Sequence, residues 1–66
     1  MSDDKIFILV YQDETTLTVM DIEFEYQADY YTHVNGCFFR TKHEAVSYGR
    51  KMAEGLGRVF KEGSND

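Results

Sequence analysis

A chain of 66 residues that is 42% apolar and 15% aromatic is too hydrophobic to stay disordered, yet it is close to the lower size limit for folding without disulfides or metal. Its single cysteine excludes an internal disulfide and, with no export-like segment in view, predicts a reducing, cytoplasmic setting. The net charge of −5 predicts a field that repels nucleic acid and attracts basic partners.

That charge is unevenly spread. Residues 1–30 hold eight acids against Lys5 alone, whereas residues 31–66 hold four acids and six bases. Between Asp13 and Asp29 six carboxylates occur without a Lys or Arg. The five Tyr and five Phe exceed what so small a domain encloses, so a surface patch of aromatics is expected. The longest apolar run, Ile6 to Tyr11, is too short for a membrane span or a signal peptide's apolar region. The sequence reads as one domain over 1–66, with frayed ends at 1–4 and 62–66.

Lys5 to Gln12 is β-branched and aromatic without alternation, which predicts a central strand buried on both faces. A turn at 13–15 leads to a second strand, expected from Thr16 to Tyr26. Its pattern changes phase: Leu17 and Val19 share one face, and Met20, Ile22, Phe24 and Tyr26 share the other. A bulge near Val19-Met20 accounts for the shift, and burial of both faces is the alternative. Within this strand "DIEFEY" (21–26) sets Asp21, Glu23 and Glu25 along one face. The apolar row opposite is expected to meet the helix, which sends the acids to the open side of the sheet.

Asn35-Gly36 between β-rich flanks predicts a two-residue type I′ hairpin, because both turn positions need positive φ. That turn pairs Val34 with Cys37 and His33 with Phe38. Val34, Cys37, Phe39 and Tyr30 then face inward, and Tyr31, His33, Phe38 and Arg40 face outward. "TKHE" (41–44) has the form of a capping box, with Thr41 as N-cap of a helix over Lys42 to Leu56. Ala45, Val46, Gly49, Met52, Ala53 and Leu56 form its apolar stripe, and Gly49 is expected against a sheet aromatic. Gly55 or Gly57 ends the helix, and 58–61 offers a short edge strand. The expected fold is α+β: an antiparallel meander of four strands, or five with that edge, and one helix on one face, in the order ββββα(β).

No catalytic motif stands out. Cys37 and His33 project from opposite faces of the predicted hairpin, which excludes a thiol–imidazole pair. Side chains two apart on a strand sit about 6.8 Å from each other, too far for Asp21, Glu23 and Glu25 to share one ion unaided. Phe24 and Glu25 follow Glu23 where a nuclease-type ExK motif needs a Lys, and no glycine-rich phosphate loop is present. Tyr31, His33, Phe38 and Arg40 resemble a small stacking platform for bases. Phosphate contacts need positive charge, however, so the platform reads as a protein contact. The expectation is a chain that is no enzyme, binds no cofactor, metal, membrane or nucleic acid directly, and docks on a basic protein surface. The partner-binding residues are Asp21, Glu23, Glu25, Asp29, Tyr31, His33, Phe38 and Arg40.

Small size, acidity, aromatic richness and lack of catalytic groups resemble bacteriophage-encoded inhibitors of host machinery, anti-CRISPR proteins among them. That resemblance implies a phage- or mobile-element-type inhibitor that blocks a nucleic-acid-binding surface by charge mimicry. The stretch "FFRTKHEAVSYGRKMAEGL" resembles the ending of small uncharacterised bacterial ββα proteins and implies a fold without an activity. The alternative expectation is a homodimer that associates through the open sheet face.

Overall fold

The first apolar run folds as β1 (Ile6–Tyr11) and takes a neighbour on each side, β2 (Thr16–Ile22) and β3 (His33–Phe39), both antiparallel to it. A short β4 (Val59–Lys61) adds to the far edge of β2 and runs parallel to it, so the sheet order is β3-β1-β2-β4. The fold is α+β with a mixed, mainly antiparallel sheet and one α-helix, α1 (Lys42–Leu56). These elements come from a computed structural model that describes residues 5–62. The predicted frayed ends lie outside that range except for Glu62.

The expected meander is corrected. Only β1 to β2 is a hairpin; α1 carries the chain from one edge strand, β3, to the other, β4. The turn between β1 and β2 is held by Asp13, whose carboxylate accepts from the Thr15 N–H at 2.8 Å and from the Thr15 hydroxyl at 3.0 Å. These bonds lower the Asp13 pKa, the backbone N–H contributing most. Arg58 Nη1 donates to the Asp13 carbonyl, and its guanidinium lies 4.7 Å over the Tyr11 ring, so the start of β4 is pinned to this turn.

The β1–β2 register runs unbroken from Ile6↔Ile22 to Tyr11↔Leu17. There is no bulge at Val19-Met20, and the phase change is resolved by burial on both faces. Leu9, Leu17 and Val19 pack with Ala45, Val46 and Ala53 of α1. Ile8, Val10 and Ile22 pack on the opposite side with Ala28. Ala28 belongs to a 3-10 helix, Glu25–Tyr30, that replaces the predicted end of the second strand. In the observed register a strand running on to Tyr26 needs residues 2–5 as partners and sets Asp3 opposite Glu25. Like charges at that spacing repel. The chain turns away instead, and the Gln27 side-chain oxygen accepts from the N–H groups of Glu23 and Phe24, both at 2.8 Å.

The Asn35-Gly36 hairpin is also corrected. Residues 33–39 are one strand, and the pair sits in an irregularity where the β1–β3 register shifts between Ile8↔Phe38 and Val10↔His33. Gly36 takes φ +84°, but no other residue type in the described chain has positive φ, so Asn35 lacks the geometry of a type I′ turn. Val34, Cys37 and Phe39 still pack on the helix side. The extra residues let 34 and 37 share a face, as the hairpin pairing does.

Helix α1 begins and ends where the sequence predicts. Thr41 Oγ1 accepts from the Glu44 N–H at 3.2 Å. Gly57 closes the helix in the left-handed region, φ +73°, and the Arg58 N–H returns to the Ala53 carbonyl at 2.8 Å in a Schellman arrangement. Ala45, Val46, Gly49 and Ala53 are buried, whereas Leu56 is half exposed. Gly49 lies against Phe60 of β4 and Leu9 of β1: a Cβ there falls 2.5 Å from Phe60 Cε1 and 2.9 Å from Leu9 Cδ2. Gly49→Leu should therefore lower stability by about 1–3 kcal/mol through overpacking, even though it gains helix propensity. A thermal melt at or above the wild-type temperature contradicts this packing. Thr41→Ala should cost about 1 kcal/mol through the lost cap, measured by urea denaturation.

Candidate interaction surface

The side of the sheet away from α1 is half covered. The 3-10 helix crosses it and inserts Ala28, 1% exposed, against Ile8, Val10 and Ile22. Ala28 is the only buried residue of this helix. Its other large side chains are pushed outward. Phe24, Tyr26 and Tyr30, read from sequence as inward-facing, are 55%, 61% and 73% exposed, which corrects those assignments. The three rings pack on one another. Phe24 and Tyr26 stack at 5.7 Å between centroids with 10° between planes, and Tyr30 meets Tyr26 edge-on at 6.4 Å.

The acidic row does not exist as a strand face. Asp21 alternates with Leu17 and Val19 and so belongs to the helix side of β2, where it pairs with Lys5 at 3.2 Å. Glu23 lies in the bend after β2, Glu25 opens the 3-10 helix and Asp29 lies near its end. Asp13 and Glu14 sit at the other end of β2, by the Arg58-pinned turn. The six carboxylates thus separate into two groups and one ion pair. Glu23, Glu25 and Asp29 remain next to the aromatic residues in the chain, and none of them forms an ion pair among the described residues.

The predicted aromatic–basic half of the face is partly assembled. His33 and Phe38 stand opposite Val10 and Ile8 in the β1–β3 register, and so on the side away from α1. Their rings lie 6.0 Å apart at 47°. His33 Nδ1–H donates to the Tyr31 carbonyl at 3.3 Å, which ties the strand to the end of the 3-10 helix. Tyr31 is exposed. Arg40 follows β3 and lines a shallow cleft with Phe38, Glu25 and Lys5. The structure therefore sets His33 and Phe38 on the side away from α1 and puts Glu25 and Arg40 in one cleft with Phe38. It carries Asp29 and Tyr31 at the end of the 3-10 helix, with Glu23 just before that helix, and leaves Asp21 on the α1 side.

Phe24, Tyr26 and Tyr30 were the residues missed. Tyr26 and Tyr30 are four apart, a helical spacing, and "QAD" at 27–29 supplies Gln and Ala where a strand favours β-branched residues. No three His, Cys, Asp or Glu side chains among the described residues gather closely enough to hold a metal ion. No helix there is long and apolar enough to cross a membrane. No family model, curated protein or solved structure matches the chain.

The outward placement of these rings has a direct check. Tyr26→Ser with Tyr30→Ser should leave the circular dichroism spectrum unchanged and shift stability by less than about 1 kcal/mol. Ala28→Asp should cost about 3 kcal/mol or more, because it drives an unpaired charge between Ile8, Val10 and Ile22. Equal effects of the two changes in chemical denaturation contradict this arrangement.

Proposed function

We propose that this chain is a small acidic interaction module, without catalytic activity, that docks on a basic surface of another protein. The observation that carries this reading is the run of three outward rings, Phe24 stacked on Tyr26 and Tyr30 edge-on to it, interleaved in the chain with Glu23, Glu25 and Asp29. Aromatic rings contribute much of the binding energy at protein interfaces. Carboxylates steer a basic partner toward them and raise the association rate.

A protein surface of high positive charge is commonly a nucleic-acid-binding one. An acidic module that covers it blocks it, which is the action of a phage- or mobile-element-type inhibitor of the anti-CRISPR kind. The support is charge and exposed aromatic surface, not phosphate-like spacing along a strand, since the 21–26 ladder is absent. A second reading, a homodimer through the same face, draws on Arg40. It places positive charge in the cleft beside Glu25, so two copies can offer complementary signs to each other.

Both readings meet in one experiment. Immobilised protein should capture a partner from bacterial lysate that added duplex DNA displaces and that elutes with rising salt. Screening acts over about 8 Å at physiological ionic strength. Glu23→Gln, Glu25→Gln and Asp29→Asn together should slow association far more than they speed dissociation and remove most of the salt dependence. Capture by this folded triple variant with unchanged kinetics rejects the basic-partner reading. A concentration-dependent dimer in sedimentation, lost in the triple variant and with no DNA-displaceable partner, supports the homodimer instead.

A further inference from the structure

Ring geometry and charge on the 3-10 helix say more about the partner than that it is basic. Lysine and arginine carry the same charge but bind differently. An ammonium is a compact, strongly hydrated point charge, whereas a guanidinium is flat, weakly hydrated, stacks on aromatic faces and pairs bidentately with carboxylates. A purely electrostatic surface treats the two nearly alike. A surface that joins open ring faces to carboxylates favours arginine.

The 3-10 helix is such a surface. Phe24 and Tyr26 stack on each other and both stay more than half exposed, so their outer faces are open, and Tyr30 stands at 88° to Tyr26. Glu25 lies between Phe24 and Tyr26 in the chain, Glu23 precedes them, and Asp29 precedes Tyr30. Gln27 fixes the segment by taking the backbone N–H groups of Glu23 and Phe24, so the rings are held before any partner arrives. The protein uses the same chemistry on itself. Arg58 stacks 4.7 Å over Tyr11 while donating to the Asp13 carbonyl, and Arg50 lies 5.7 Å over Phe60. In both cases an arginine covers a half-buried ring of the sheet.

We infer that the exposed aromatic face of the 3-10 helix recognises arginine side chains of a partner protein, with guanidinium groups stacked on Phe24, Tyr26 and Tyr30 and paired with the neighbouring carboxylates. This inference rests on the basic-partner reading above and narrows it to an arginine-rich segment. Charge complementarity selects the sign of the partner, and the open ring faces select arginine over lysine.

The test uses two fluorescein-labelled peptides of equal length and charge, hexa-arginine and hexa-lysine, titrated with the whole chain by fluorescence anisotropy at low salt. Hexa-arginine should bind about tenfold more tightly than hexa-lysine. Replacing Tyr26 and Tyr30 with Leu keeps apolar bulk but removes the π faces. That variant should bring the ratio close to one while leaving the circular dichroism spectrum unchanged. Neutralising Glu23, Glu25 and Asp29 should weaken both peptides together. Equal binding of the two peptides by the wild type, lost on neutralisation, overturns arginine selectivity and leaves the basic-partner reading standing. A tenfold preference that survives the Tyr→Leu changes also overturns the assignment to these rings. Binding of neither peptide overturns both readings.

Discussion

Ile8, Leu9 and Val10 are consecutive residues of one strand and all are buried, so β1 has to be covered on both faces. In a chain of 66 residues one helix cannot do this alone. Helix α1 covers the side of Leu9, and the other side needs a second lid for Ile8 and Val10. The segment after β2 supplies it, and it reaches across by leaving the sheet at Ile22. Once it does, its small residue, Ala28, must be the one that fits beneath it. The larger residues on either side are left outside. The exposed aromatic surface is thus a consequence of two-sided burial in a very short chain.

Much of this was legible in the sequence, and the exceptions are specific. The unbroken apolar run of β1 signalled a strand buried on both faces. The Thr41 cap, the 3.6-residue stripe and Gly57 gave α1 its ends, because each signal is local and bonds to nearby backbone. "DIEFEY" misled because period-two alternation is a statement about pattern, not about pairing. A strand needs a partner for its backbone groups, and β1 begins at Ile6, opposite Ile22. Counting back from the 13–15 turn sets position 25 opposite Asp3, a pairing of like charges. Asn35-Gly36 misled for a related reason. Gly36 does adopt positive φ, but whether the chain reverses there depends on Asn35 and on β1 remaining alongside. The face assignments of Val34, Cys37, His33 and Phe38 survived, since a three-residue shift in register puts 33 and 38 on one face and 34 and 37 on the other, as the two-residue turn does.

The candidate surface inherited both outcomes. His33 and Phe38 are found on the expected side because the irregularity between them keeps the faces that the hairpin gives, and Arg40 joins Phe38 in the cleft. Asp21 was lost from the surface because it belongs to β2 and so follows Leu17 and Val19 to the helix side. Its partner Lys5 is half exposed, as Asp21 is, and such a pair contributes little to stability. It does remove one carboxylate and the N-terminal half's only base among the described residues from the field that a partner meets. What remains near the 3-10 helix is Glu23, Glu25 and Asp29, with Asp13 and Glu14 at the other end of β2.

Size then limits how this face can be used. A stable interface takes about 800 Å² from each partner, about a sixth of the 4681 Å² that this chain exposes. At about 200 Å² per aromatic side chain, the open parts of Phe24, Tyr26, Tyr30 and Tyr31 supply roughly half of that area. The rest has to come from the adjoining end of β3, where Phe38 is exposed and Arg40 lines the cleft beside Glu25. A footprint of this kind is bipolar, acidic over the 3-10 helix and basic at Arg40. A uniformly positive partner is attracted at one end and repelled at the other. A partner that places its arginines against the rings and a neutral or acidic rim against Arg40 meets no such conflict, and the same asymmetry fixes the direction in which it docks.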